Sequence, residues 1–409
     1  MMRRLSRTIG GAIGLAALVL AIGCAGPERI GPVPHALTEQ TKVLGIPNAR
    51  FWPDTQGPEL IREAVAAAAR ERTAEPSRIR AELPAANFLA ISGGSDSGAF
   101  GAGLLVGWTE TGTRPDFKLV TGISTGALIA PFAFLGSQYD PQLRAVYTEI
   151  SPKDVYETRW LPRALFSDAL ASTDPLYRLI SQYVNRAMLA AVAREYDKGR
   201  ILLIGTTDLD VQRPVIWNMG AIAKSGTPEA LDLFRRILLA SASVPGAFPP
   251  VMIKVEEGGH VYDEMHVDGG AVAQTFLYPP QIGLLVNVRR GDWARERHAY
   301  VIRNARLDPE WASVDRRVFS VVGRAVSTMI HYSGYNDALR IYNTSKRDGV
   351  DFNLAYIGAD FTAERRENFD QSYMRALFNY GYQQARQGYK WHKAPPILVD
   401  SDGRMTRED

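Results

Sequence analysis

Short apolar runs alternate along this chain with stretches of helical spacing. Phe88-Leu89-Ala90-Ile91 marks a strand over 87–92, and a helix follows over 98–111. A second strand spans 117–122 and feeds a small, apolar run, Ala127-Leu128-Ile129-Ala130, that starts a helix at Ser124. Further strands are expected over 201–207 and 215–217, and a helix over 231–242. A hairpin of 251–255 and 260–262 turns about Gly258-Gly259, and 282–288 reads as a buried strand. Helices are also expected over 59–72, 176–196, 313–342 and 368–387. Strands alternating with helices predict an α/β three-layer sandwich with a mostly parallel central sheet covered by helices. In such sheets, sites open at the carboxyl ends of the strands. The segment 156–196 interrupts the alternation. It reads as two more helices covering the core, with a cap over the site as the alternative.

The N-terminus has a different pattern. Met1-Met2-Arg3-Arg4-Leu5-Ser6-Arg7 precedes an apolar stretch from Ile9 to Gly23, which is short for a membrane span and suits a signal-peptide core. The single cysteine, Cys24, follows at once. A lone cysteine after small residues at this point resembles a bacterial lipoprotein signal, in which cleavage before Cys24 is followed by lipidation of its sulfur. The expected organisation is a signal peptide over 1–23, a lipidated, Pro-rich tether over 24–58, one domain over 59–400 and a polar tail over 401–409. The expected location is the cell envelope, lipid-anchored, on the periplasmic face of the outer membrane.

Composition narrows the function. Of 409 residues, 46% are hydrophobic and 22% charged, which suits a chain that buries a core. The formal net charge is +3, and Arg3, Arg4 and Arg7 of the leader account for it, so the rest is near neutral and no general nucleic-acid binder is indicated. The six histidines lack metal-binding spacing and cysteine partners, so no zinc site and no other cofactor is expected.

Three glycine-rich stretches carry candidate chemistry. Gly122-Ile123-Ser124-Thr125-Gly126 places a serine between a strand and a helix, the context of a nucleophile elbow. Gly122 and Gly126 relieve crowding at such a turn. Upstream, Ser92-Gly93-Gly94-Ser95-Asp96-Ser97-Gly98 leads into Ala99-Phe100-Gly101-Ala102-Gly103 and opens a helix, leaving backbone N–H groups uncovered as an attacking serine requires. Its glycine order is not that of a dinucleotide-binding loop. Third, Asp268-Gly269-Gly270 is by itself most simply a tight turn, and alternatively a carboxylate presented as a proton acceptor.

With Ala240-Ser241-Ala242-Ser243-Val244-Pro245-Gly246-Ala247-Phe248-Pro249-Pro250 between the last two, these stretches resemble, in order, the patatin-like acyl hydrolases (patatin-like phospholipases) over about 87–274. The resemblance implies a Ser–Asp dyad without a catalytic histidine. Ser124 would be the nucleophile and Asp268, on its Gly269-Gly270 turn, the base. The backbone around Gly93, Gly94 and Ser95 would form the oxyanion hole. Many members carry Gly-Gly-Gly-x-Arg-Gly in that loop; here Ser95 and Ser97 stand for the third glycine and the arginine, and Asp96 adds a negative charge that would disfavour an anionic head group if it points inward.

Other residues are weighed beside these. His298 and His331 are the candidates for a histidine triad in α/β-hydrolase order; His298 falls in a charged run that reads as surface, and His331 inside a helix. His266 could assist Asp268. Asp208 is a second carboxylate, read first as a turn cap, and Phe248 could wall an acyl pocket. The reading is a membrane-tethered serine acyl hydrolase (phospholipase A, lysophospholipase or esterase type) acting on carboxylic esters of lipids, with membrane lipid as substrate and anchor. The alternative is a non-catalytic lipoprotein that binds an acyl chain or a protein partner.

Overall fold

A computed structural model describes residues 29–74, 84–158, 169–280 and 295–396. Its strands are β1 (Arg50–Phe51), β2 (Ala86–Ile91), β3 (Phe117–Gly122), β4 (Glu157–Thr158), β5 (Ala171–Ser172), β6 (Ile201–Asp208), β7 (Arg213–Asn218), β8 (Val251–Glu257), β9 (His260–Asp268), β10 (Arg297–Arg303) and β11 (Asp351–Tyr356). The helices are α1 (Gly57–Ala74), α2 (Gly98–Glu110), α3 (Thr125–Leu135), α4 (Asp140–Thr148), α5 (Pro152–Val155), α6 (Asp174–Tyr183), α7 (Arg186–Asp197), α8 (Met219–Ser225), α9 (Pro228–Ser241), α10 (Val318–Asp348) and α11 (Gln371–Arg386).

The central sheet runs β1-β7-β6-β3-β2-β10-β11. From β6 to β11 every pairing is parallel, while β7 and β1 continue the other side antiparallel. The sheet divides at β6. Its first half pairs with β3, and its second half pairs with β9, with Thr206 opposite Asp268. This division brings the end of β9 beside the end of β3, although the two are far apart in sequence.

Period-two alternation sorts the side chains into two faces. Leu89 and Ile91 join the larger core under α2, α3, α9 and α11, whereas Ala90, Val301 and Leu354 meet Ile341 and Tyr342 of α10 on the other face. The expected helix–sheet–helix layering is thus present. α2 and α11 meet through small residues: a Cβ on Gly103 would lie 2.0 Å from the Phe378 carbonyl oxygen, and one on Gly381 2.4 Å from that of Phe100. Gly103 and Gly107 therefore serve packing between helices.

Several expectations need correction. The charged run ending at His298 enters β10, an interior strand between β2 and β11, and β11 was not anticipated either. Their polar ends hid them: His298 and Asp351 are paired at the amino ends of the two strands, 3.1 Å apart. The expected helix over 176–196 is two helices, α6 and α7, parted near Val184. The expected tether is already docked from Arg29 onward. Arg29 pairs with Asp210, and Lys42 and Glu256 exchange backbone hydrogen bonds, while Phe51 and Trp52 pack on the domain as expected. The signal peptide over 1–23, Cys24, the strand over 282–288 and the tail over 401–409 lie outside the described residues.

Candidate active site

Ser124 sits between β3 and α3 with φ +56° and ψ −126°, a conformation costly for a residue with a side chain. Close packing holds it there. A Cβ on Gly122 would lie 2.4 Å from the Gly126 carbonyl oxygen, and one on Gly126 2.2 Å from that of Ile91, so neither position admits a side chain. The Ser124 N–H donates to the Ser241 hydroxyl (3.0 Å), which itself donates to the Gly205 carbonyl (2.7 Å). Ser241 is fully buried at the end of α9, and it ties the elbow to β6.

Asp268 ends β9. Its N–H donates to the Ser243 carbonyl (2.9 Å), and its carboxylate accepts the Gly270 N–H (2.7 Å). Asp268 caps a short 3₁₀ turn, as the plain turn reading has it, and it also lies against the Ser124 hydroxyl. Burial pushes its carboxyl up to about 7, against the opposing hydrogen bonds from Ser124 and Gly270. Among the described residues no cation offsets that burial.

The glycine-rich loop after β2 lies directly on this pair. A Cβ on Gly93 would be 3.2 Å from the Ser124 Cβ. Gly94 (φ +157°) and Ser95 (φ +55°) bend the backbone, and a Cβ at Gly94 would strike the Asn304 carbonyl oxygen at 2.1 Å. One expected donor is corrected: the Gly93 N–H is engaged by the Gln274 carbonyl (2.9 Å). Among the described residues, no partner takes the N–H groups of Gly94, Ser95 or Thr125, the first residue of α3. Those three are the candidates for receiving an oxyanion, and the N-terminus of α3 adds positive potential.

Asp96 is also corrected. It is fully buried and points away from the cavity, where it accepts the Phe369 N–H (2.8 Å) and pairs with Arg365 (2.9 Å). Burial raises its pKa, opposed by Arg365. Phe369, at φ +61°, lines a narrow cavity of ≈ 60 Å³ in front of Ser124 together with Leu128, Ile150, Val155, Leu176, Phe248 and Met374. Tyr156 touches both Phe248 and Phe369, at 6.1 Å between ring centroids in each case. The cavity is apolar except at its serine end. Phe248 is therefore a wall, and α6 contributes to the pocket as well as to the core. A wider cavity of ≈ 330 Å³ behind the elbow is lined by Ile123, Phe276 and Asp337, and includes neither Ser124 nor Asp268.

No histidine lines the pocket beside Ser124. His266 is buried between Thr206 (3.0 Å) and Glu264 (3.2 Å). His298 is at the opposite end of the strands, and His331 is on α10. Asp208 caps the turn after β6 by accepting the Asp210 N–H (2.9 Å). Asp208, Glu264 and His266 cluster, but Arg50 pairs with Glu264 there and already neutralises it. Two braces had no sequence signal. Gln274 accepts from Gly93 and donates to the Gly270 carbonyl (2.8 Å), linking the glycine-rich loop to the Asp268 turn. Asn304 holds Ser92 and Gly101.

Residues 89–279 match the family described as patatin-like phospholipase. The matched stretch carries the elbow, the Asp268 turn and the loop between them. Residues 89–279 are a patatin-like phospholipase domain. No curated protein matches the sequence. Among solved structures, VipD from Legionella pneumophila matches at 12% identity, covering 75% of this chain and 66% of that chain, with a TM-score of 0.32. The chain thus spans just under two thirds of that protein's length, and a likeness so loose carries no argument. A patatin-like domain supports lipid acyl hydrolysis in general. The residues outside it supply β10, β11, α10 and α11, and with them Asn304 and Phe369.

Proposed function

We propose that the chain is a membrane-tethered serine acyl hydrolase that cleaves carboxylic esters of lipids with a Ser124–Asp268 dyad. The observation that carries this reading is the buried Asp268 carboxyl, raised to about 7, facing the hydroxyl of a serine held in a strained turn. Ionised Asp268 takes the Ser124 proton as Oγ attacks the ester carbonyl carbon. The developing oxyanion meets the N–H groups of Gly94, Ser95 and Thr125. Collapse expels the alcohol, which leaves with the proton from Asp268. Water, deprotonated by Asp268, then releases the fatty acid. The acyl chain lies among Leu128, Phe248, Phe369 and Met374. Because Asp96 is turned away and paired, its charge does not face the head group. No metal or organic cofactor enters this reaction. The tether is assigned to a lipid on Cys24, which would hold the protein at the cell envelope, on the periplasmic face of the outer membrane.

The test is hydrolysis of p-nitrophenyl esters by wild type, Ser124→Ala, Asp268→Asn and His266→Gln. The first two substitutions lower kcat by a thousandfold or more, and the third leaves it within about fivefold. Activity that survives Ser124→Ala would overturn the assignment. Fluorophosphonate labelling mapped to the peptide holding Ser124 gives a second readout.

A further inference from the structure

α10 is 31 residues long, and only its second half is packed on the sheet. Arg297, at the amino end of β10, donates to the Asp348 carbonyl (2.7 Å), while Arg303, at the carboxyl end, meets Gly334. Residues 334–348 therefore span the full height of the strands. Residues 318–333 continue beyond the carboxyl edge for about 24 Å at 1.5 Å per residue. That edge is where Ser124 and Asp268 lie.

The projecting part is amphipathic in an inverted sense. Val318, Phe319, Val322, Val326, Met329 and Ile330 fall on one half of its circumference, and Ser320, Arg324, Ser327 and His331 on the other. The polar side is the one turned inward: Ser320 and Arg324 are half-buried, and Arg324 donates to the Glu310 carbonyl. The apolar side is open, with Phe319 92%, Val318 75% and Met329 71% exposed. Trp311, just before the helix, is 90% exposed. A patch this contiguous marks a site of interaction. Its charge selects the partner. Arg316 and Arg317, exposed just before the helix, outnumber the single acid of this stretch, Asp315, so a net positive end adjoins an apolar face that carries Trp311 and Phe319. That composition fits the boundary of an anionic bilayer, where apolar side chains enter the acyl region and arginines meet phosphates.

We propose that residues 311–332 form a docking surface for an anionic phospholipid bilayer, seating the chain with the carboxyl edge of its sheet toward the membrane. The proposal concerns binding and is independent of the Ser124–Asp268 assignment. The test uses the full chain with Cys24→Ser, so that no lipid anchor contributes, and sedimentation with vesicles of phosphatidylglycerol and phosphatidylcholine or of phosphatidylcholine alone. Binding to the anionic vesicles is expected to be at least tenfold tighter. It falls tenfold or more in Phe319→Asp/Met329→Asp, while hydrolysis of a soluble p-nitrophenyl ester by that variant stays at the wild-type rate, which shows that it is folded. Adding Ser124→Ala leaves vesicle binding intact, so failure of the catalytic reading and failure of docking are separable. Equal binding of the paired variant and its parent overturns the proposal. So does a concentration-dependent dimer, measured by sedimentation velocity, that the paired substitution dissolves, because the face would then belong to a second copy.

Discussion

At the scale of single residues, the chemistry concentrates in Asp268, and its environment makes two predictions. Burial pushes its carboxyl up to about 7 in the folded chain, from an ordinary value near 4. If its ionised form is the base, kcat/KM for a soluble ester rises with pH to a plateau, with its midpoint near 7; a midpoint near 4 would remove Asp268 from that role. The same shift is a cost to the fold. An acid whose pKa is raised on folding contributes stability below about pH 4, and this is lost as pH rises through 7. Asp268→Asn does not titrate. It should therefore be more stable than wild type at pH 8, by about 4 kcal/mol at most, with the advantage vanishing below about pH 4. Denaturant unfolding at the two pH values reads this directly, and equal stabilities at pH 8 would mean that the carboxyl is solvated. The turn at Ser124 was legible in the sequence because glycines flank it between a strand and a helix, whereas Asp268 read by itself as a plain turn and was joined to Ser124 through the family resemblance. The orientation of Asp96 was not legible. Its charge beside the glycine-rich loop suggested a head-group effect, but Arg365 and the Phe369 amide, some 270 positions away, turn it away from the cavity.

At the scale of elements, the site depends on how α9 ends. Ser241 and Ser243 sit two residues apart, and each holds one member of the dyad through its backbone: the Ser241 hydroxyl accepts the Ser124 N–H, and the Ser243 carbonyl accepts the Asp268 N–H. The end of one helix thus fixes the spacing between two strand ends. Ser241→Ala leaves a buried N–H and a buried carbonyl without their partner, at a cost of roughly 1–3 kcal/mol in stability. It should lower kcat ten- to a hundredfold with KM changed little, and slow fluorophosphonate labelling in proportion. A change confined to KM would show that Ser241 does not act through the elbow. Strands were recognised where a short apolar run marks them, as Phe88–Ile91 does in β2 and Ile201–Ile204 in β6. β10 and β11 escaped because His298, Asp351 and Asn353 break their pattern, even though Val301, Ile302 and Leu354 are fully buried. Neighbouring parallel strands can carry polar residues at their ends when these pair with one another, and sequence periodicity does not register such pairing.

At the scale of the whole molecule, the patatin-like domain and the residues beyond it share one pocket. Asp96 lies within the matched stretch, while Arg365 and Phe369 lie some 90 positions past its end, on the segment entering α11. The pairing anchors the aromatic wall of the cavity to the loop that carries the candidate oxyanion donors, and it fixes Phe369 in a left-handed conformation that an unanchored phenylalanine would leave. The wall of the cavity is therefore held by a contact between distant parts of the chain. Asp96→Ala removes both the charge partner of Arg365 and the acceptor for the Phe369 N–H, whereas Asp96→Asn keeps the acceptor. On p-nitrophenyl esters from butyrate to palmitate, Asp96→Ala should shift the preferred chain toward greater length as the Phe369 wall gives way, and Asp96→Asn should shift it far less. Phe369→Ala should reproduce the Asp96→Ala profile, and combining the two should add little, because both act on one wall. A profile unchanged in Asp96→Ala but altered in Phe369→Ala would show that the wall holds its place without the anchor, and Asp96 would then matter only to stability.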